Sequence, residues 1–302
     1  MRIGIVGAGG VGGYLAVKLS AAGHGVALLA RGAQLAAIQA KGLRLIEPDG
    51  EVTWRPKALS DDPAILGDCD LVILTVKAHQ LPAAIAQIQD VVPAHARMLP
   101  LQNGVEAPDA LAKVFGEDRA LIGVARIFVN ITEPGVLTRY GDIARFTIGT
   151  RAGAPVRDVQ EAFRTAGIDA PEVADARVDL WTKLVTFNAL SSLTAATRAP
   201  FGEIRATPAT AALTLALMEE TVALGRAAGV PLPEGLAETC FATFQTLPAE
   251  GRTSTAHDLA QGRALEIDWT CGAVVRLGEA LGVPTPISTT LYAVLAPWKD
   301  GR

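Results

Sequence analysis

Cysteine is scarce in this 302-residue chain, and its three copies, Cys69, Cys240 and Cys271, are odd in number and far apart, with no C-x-x-C pair. That excludes a disulfide framework or a cysteine-held zinc, and predicts three buried thiols in a reducing compartment. The four histidines, His24, His79, His95 and His257, show no metal-ligand spacing, and no Ser-His-Asp hydrolase signature accompanies them. No stretch reaches the roughly 18 uninterrupted apolar residues of a membrane span. Neither sign of charge is in surplus, with 27 Lys and Arg against 31 Asp and Glu and a net charge of −4, so nucleic acid and anionic membrane are not expected partners. Only Arg2 precedes the first apolar run and glycines interrupt it, unlike a cleavable signal peptide, which leaves a cytoplasmic location as the expectation. Internal repeats and low-complexity segments are also lacking. What is there is a chain half hydrophobic in composition and long enough for two domains.

Its first half reads as alternating strands and helices. Apolar runs at 2–7, 26–30, 71–76 and 98–104 predict strands, with a helical pattern at 14–22 before the Gly23-His24-Gly25 stop. This gives an α/β, Rossmann-type, doubly wound parallel sheet. Further strands are expected around 121–129, 136–140 and 144–149, with a Thr132-Glu133-Pro134-Gly135 turn that permits antiparallel pairing. Past about residue 175 strand-like runs vanish, and Ala/Leu-rich segments at 178–197, 207–229, 234–247 and 264–281 predict an all-helical second domain. The loop-like GIDAPEVAD stretch sets the division at 1–172 and 173–302.

The first motif with chemistry is Gly7-Ala8-Gly9-Gly10-Val11-Gly12, a G-x-G-x-x-G placed directly after a strand and before a helix. There Gly7 permits the tight turn, Gly9 lets backbone approach a pyrophosphate, and Gly12 lets helix and strand pack closely. The helix N-terminus then presents free N–H groups to phosphate. At the end of the second strand, where dinucleotide sites selective for NAD carry Asp or Glu, this chain has Arg31 and no carboxylate in VALLARGAQ. A guanidinium there pairs with a 2′-phosphate instead, which favours NADP(H).

Lys77 follows the third strand and is either a cofactor-contacting cation or an ordinary solvated lysine. Asn103, in LQNGV, is either a polar contact for a nicotinamide amide or substrate carbonyl, or half of an ordinary Asn-Gly turn. Lys183 sits in the apolar helix pattern VDLWTKLVTFNALSSLTAATR, and its ammonium either snorkels to solvent or points into an inter-domain cleft as an acid of lowered pKa. In RTSTAHDLAQGRALEIDWTCG, Ser254 is a candidate helix cap, and Glu266 and Asp268 are candidate electrostatic caps of the next helix.

Taken in order, IGIVGAGGVGGYLA, Arg31, TVKAHQ, LQNGV, TEPG, WTKL with LTAATR, and STAHDLAQGRALEID resemble the ketopantoate reductase (2-dehydropantoate 2-reductase) family over essentially the whole chain. The resemblance implies reduction of a 2-oxo acid by NADPH between a Rossmann domain and a helical domain, in the family's case 2-dehydropantoate to pantoate for pantothenate synthesis. It implies pyrophosphate binding by Gly7, Ala8, Gly9, Gly10, Val11 and Gly12, and adenosine-side phosphate binding by Arg31 and Lys77. Asn103 would contact cofactor and substrate, Lys183 would donate the proton, Ser254 would hold the substrate carboxylate, and Glu266 would serve the substrate and cofactor end. No metal is needed, and a homodimer is compatible with the family.

Two departures bear on the substrate. Family members commonly place Asn four and eight residues after the lysine; Phe187 and Ser191 stand there, while Asn188 is turned about 100° away. Phe201 also replaces a polar substrate contact. The substrate-facing positions Asn103, Lys183, Phe187, Ser191 and Ser254 therefore suit ketopantoate or a more apolar 2-oxo acid. Another dehydrogenase built on a Rossmann and a helical domain, and a non-catalytic NADP-binding sensor, are the competing classes.

Overall fold

Parallel strands dominate the first half because their sequences are continuously apolar, as suits strands covered on both faces. A computed structural model of the chain describes residues 1–152 and 154–302. Strand β1 (Arg2–Val6) leads into helix α1 (Gly10–Ala21), then β2 (Gly25–Leu29) and α2 (Gly32–Lys41). A hairpin, β3 (Leu43–Glu47) and β4 (Gly50–Trp54), is followed by β5 (Ala58–Ser60), β6 (Leu71–Leu74), α3 (Leu81–Ile88), β7 (Arg97–Pro100) and α4 (Ala107–Phe115). The long strands β8 (Leu121–Glu133) and β9 (Val136–Thr150) and helix α5 (Arg157–Thr165) complete this part.

Five strands form a parallel sheet in the order β5-β2-β1-β6-β7. The expected Rossmann-type sheet is thus present, with β5 as an additional edge. The later strands do pair antiparallel, β8 with β9, but they belong to a second sheet of order β4-β3-β9-β8. Its β3–β4 hairpin escaped the sequence reading. Leu43 and Leu45 are buried and Arg44 between them is exposed, a period-2 pattern too short and too charged to stand out.

Helix α1 is covered on two sides. It buries Tyr14, Leu15, Ala16, Val17 and Leu19, and Tyr14 stacks on Phe146 of β9 with ring centroids 6.4 Å apart. Beside it, Glu47 of β3 accepts from Lys18 of α1 at 3.2 Å and from Arg139 of β9 at 2.9 Å. Burial, and next the Glu47 charge, push the Tyr14 phenol up to about 12.

The second half is helical: α6 (Ala176–Thr197), α7 (Phe201–Ala206), α8 (Pro208–Ala227), α9 (Leu236–Thr246), α10 (Ser254–Ala260), α11 (Cys271–Leu281) and α12 (Pro286–Leu295). The expected helix over 264–281 is broken: a 3-10 turn, Ile267–Trp269, is separated from α11 by Thr270, whose φ of −113° and ψ of −101° leave the helical region. Asn188 ties this half together. Fully buried, its amide donates to Thr221 of α8 at 3.1 Å and to Ser288 of α12 at 3.3 Å. The three cysteines are buried and none is in a disulfide.

The chain divides into two compact units, Met1–Gln102 with Ala107–Arg177, and Asn103–Glu106 with Val178–Arg302. The passage at 177/178 falls within the first turn of α6, a few residues beyond the 172/173 division read from loop composition. Asn103–Glu106 belong with the second unit because their partners are there. Among the described residues no helix is long and apolar enough to cross a membrane.

Candidate functional site

In the first unit the strands β2, β1 and β6 lie side by side, and the segments leaving their C-terminal ends carry Arg31, the glycine loop and Lys77. Arg31 and Lys77 are both exposed and flank the loop on its two sides. β6 ends at Leu74, so Lys77 stands not on the strand but at the start of a 3-10 turn, Ala78–Gln80.

The glycines of the loop answer to different neighbours. Gly7 has φ +106°, and its carbonyl accepts from the Thr75 hydroxyl at 2.8 Å. A Cβ on Gly12 would lie 2.0 Å from the Gly7 carbonyl oxygen and 2.3 Å from Thr75 Oγ1. One on Gly10 would lie 2.3 Å from the Val129 carbonyl oxygen of β8. At Gly9 a Cβ would meet nothing within 4 Å, so no protein neighbour demands glycine there. An open glycine at a helix N-terminus, between two cations, fits the close approach of a diphosphate. Thr75 and Gln34, which donates to the Ala8 carbonyl at 3.0 Å and accepts from the Gly135 amide at 2.9 Å, brace the loop. Sequence reasoning missed both, since their partners are 26 to 101 residues away.

The second unit holds the remaining candidates. Lys183 and Phe187, one turn apart on α6, are both half-buried. Ser191, two turns on, is buried and its hydroxyl donates to the Asn188 carbonyl at 3.4 Å. Phe201 is not in this row: it opens α7 and is buried edge-on against Phe244, ring centroids 5.9 Å apart.

Asn103 and Glu266 come together. The Asn103 amide donates to Glu266 Oε2 at 3.2 Å, and the carboxyl-bearing residue is only 6% exposed. Gly104, at φ +92°, packs so closely that a Cβ would lie 2.4 Å from the Trp269 carbonyl oxygen. One expected capping role is corrected. Thr253, not Ser254, is the N-cap of α10, its hydroxyl accepting from the Ala256 amide, and Ser254 is the exposed first helical residue. Glu266 stands at the N-cap position of the Ile267–Trp269 turn and Asp268 in its first turn, where electrostatic caps belong; the Glu266 side chain makes no capping hydrogen bond, and Asp268 accepts from Tyr292 at 2.6 Å and Lys299 at 3.3 Å. The Asp268 carboxylate, which accepts the phenol's hydrogen bond, pushes the Tyr292 phenol up. Among the described residues no group of three or more His, Cys, Asp or Glu is placed to hold a metal ion.

The family model described as "Ketopantoate reductase PanE/ApbA" matches residues 3–153, and its C-terminal counterpart matches residues 175–299. The chain belongs to the ketopantoate reductase family. It is 36% identical to a curated 2-dehydropantoate 2-reductase of Mesorhizobium japonicum, across 98% of this chain and 96% of that protein. A crystal structure of a PanE/ApbA family ketopantoate reductase from Ralstonia eutropha superimposes with a TM-score of 0.91 at 32% identity, covering 99% of this chain and 98% of that one. A 2-dehydropantoate 2-reductase from Geobacter metallireducens gives the same TM-score at 28% identity, with 98% and 99% covered. The glycine loop and Asn103 lie in the segment matched by the first model, and Lys183 and Glu266 in the segment matched by the second.

Proposed function

We propose that this ketopantoate reductase family member reduces 2-dehydropantoate to pantoate with NADPH. The observation that carries the reading is its likeness, over nearly its full length, to a curated 2-dehydropantoate 2-reductase. The cofactor choice rests on Arg31, an exposed guanidinium at the end of β2 where selectivity for a 2′-hydroxyl calls for a carboxylate.

The roles follow from residue chemistry. Backbone N–H groups from Gly9 to Gly12 hold the pyrophosphate, and Arg31 and Lys77 hold the adenosine-side phosphate. A nicotinamide cofactor held there would supply the hydride for the carbonyl carbon of the oxo acid. Lys183 stabilises the negative charge that grows on the carbonyl oxygen and delivers the proton that completes the hydroxyl. Asn103, its amide held in place by Glu266, contacts cofactor or substrate, and the exposed Ser254 hydroxyl donates to the substrate carboxylate. Phe187 supplies an apolar wall beside the branched carbon skeleton, and Ser191 backs it.

Steady-state reduction assays with NADPH and a panel of branched 2-oxo acids test the proposal. Preferred turnover of 2-dehydropantoate is the expected result. Turnover of none of the panel sinks the reading, and preference for a bulkier apolar oxo acid would reassign the substrate while keeping the chemistry.

A further inference from the structure

The segment Asn103–Glu106 packs with the second unit, and three attachments hold it there. The first is the Asn103–Glu266 hydrogen bond, and the second is the close seat of Gly104 on the Trp269 carbonyl. The third lies outside every motif of the sequence. The Arg276 guanidinium, from α11, donates to the two Glu106 carboxylate oxygens at 3.4 and 2.7 Å. Its Nη2 also donates to the Asp268 backbone carbonyl at 2.6 Å. One rigid fork thus grips a residue three positions after Asn103 and another two positions after Glu266.

Asp268 is itself immobilised, since its side chain accepts from Tyr292 and Lys299. The Glu266 side of the fork is therefore anchored several times over. The Asn103 side is not: past the Gly104 seat, Glu106 is where a side chain of α11 fastens it. The break of the helix at Thr270 leaves the Asp268 carbonyl available to Arg276, so the irregular backbone has a use.

We propose that Arg276 is a positioning residue for this site, setting Asn103 against Glu266 by holding Glu106. The inference rests on the reductase reading for its kinetic consequence, but not for its geometry. Arg276 and Glu106 are 47% and 31% exposed in their side chains, so the pair adds little to global stability. Its effect is on placement, and misplacing a catalytic contact by about 1 Å costs up to about a hundredfold in rate.

The test uses the full chain and the variants R276M, E106Q, R276K and the E106Q/R276M double. R276M and E106Q should each lower kcat/KM for 2-dehydropantoate about ten- to a hundredfold. The double variant should be no worse than the poorer single, because both break one link. R276K, which keeps the cation and loses the fork, should fall between. Melting midpoints should move by no more than about 2–4 °C, and the affinity for 2′-phosphoadenosine 5′-diphosphate, which has no nicotinamide end, should be unchanged. Nitrogen-15 NMR reads the geometry directly: the Asn103 side-chain amide, assigned by its loss in N103D, should shift in R276M and E106Q towards its position in E266Q. An unmoved Asn103 amide overturns the proposal, as do kinetic losses that only track the melting midpoint. If the wild-type chain reduces no oxo acid, the reductase reading fails while the amide signal still decides the role of Arg276.

Discussion

Asn103 and Glu266, 163 residues apart in the chain, are joined by a hydrogen bond of 3.2 Å from amide to carboxylate. The carboxylate can accept only, so it sets the direction of the Asn103 amide: its NH2 faces Glu266 and its carbonyl faces the other way. A buried carboxylate with a dedicated donor is also protected from the cost of burial without a partner. The pair therefore orients a polar group that sequence alone left divided between a ligand contact and an ordinary turn.

Cofactor choice is tested at Arg31. Replacement by alanine should weaken NADPH binding about ten- to a hundredfold, the scale of a lost charge-assisted hydrogen bond, and leave NADH nearly unchanged. Titration of both cofactors by fluorescence reads the ratio. Equal losses would remove the 2′-phosphate role.

For proton transfer the decisive residue is Lys183. Lys183→Ala should lower kcat by at least about two orders of magnitude, the usual scale of general acid catalysis, with cofactor affinity kept. A fall of only a few-fold in stopped-flow turnover would return the residue to packing.

Within one loop, two glycines should respond in opposite ways. At Gly12 a methyl group lands on the Gly7 carbonyl and Thr75, so Gly12→Ala should destabilise the fold measurably in thermal denaturation. At Gly9 the same methyl meets nothing, so Gly9→Ala should keep the wild-type melting midpoint in the free protein yet weaken nucleotide binding. Unchanged nucleotide affinity in Gly9→Ala would mean the pyrophosphate lies elsewhere.

Alkaline stability should carry the mark of Tyr14. Its phenol titrates at about 12 in the folded chain against a reference of 10.0, so the neutral form is favoured by folding. The sign follows by linkage: this contribution is complete below pH 10, declines as pH rises towards 12, and amounts to about 3 kcal/mol. Denaturant unfolding of Tyr14→Phe across pH 9 to 12 should show a correspondingly flatter decline than the wild type. Parallel curves would place the alkaline loss on other groups.

The elements legible in the sequence were those whose cause is local. Continuous apolar runs marked β1, β2, β6 and β7, Gly7 to Gly12 marked the turn into α1, and loss of strand pattern marked the helical half. The β3–β4 hairpin escaped because Arg44, Glu47 and Glu51 dilute its apolar face, which becomes visible only once Leu43 and Leu45 have something to pack against. Phe201 stands where the family resemblance places a polar substrate contact, and in the fold its ring packs edge-on against Phe244, a contact 43 residues away that no local pattern announces.

By itself the sequence determined the fold class and the residue types at each candidate position, because turn geometry, periodicity and side-chain chemistry are properties of short stretches. Tertiary structure alone decided why Gly10 must be glycine, with β8 against it, and why Gly9 need not be for the protein's own sake. It also decided that Thr253 rather than Ser254 caps α10, and that Arg276 holds the loop of Asn103. Those outcomes depend on which of many polar groups meet after the chain has folded, and a hydrogen bond spanning 163 or 170 residues leaves no period or spacing to read.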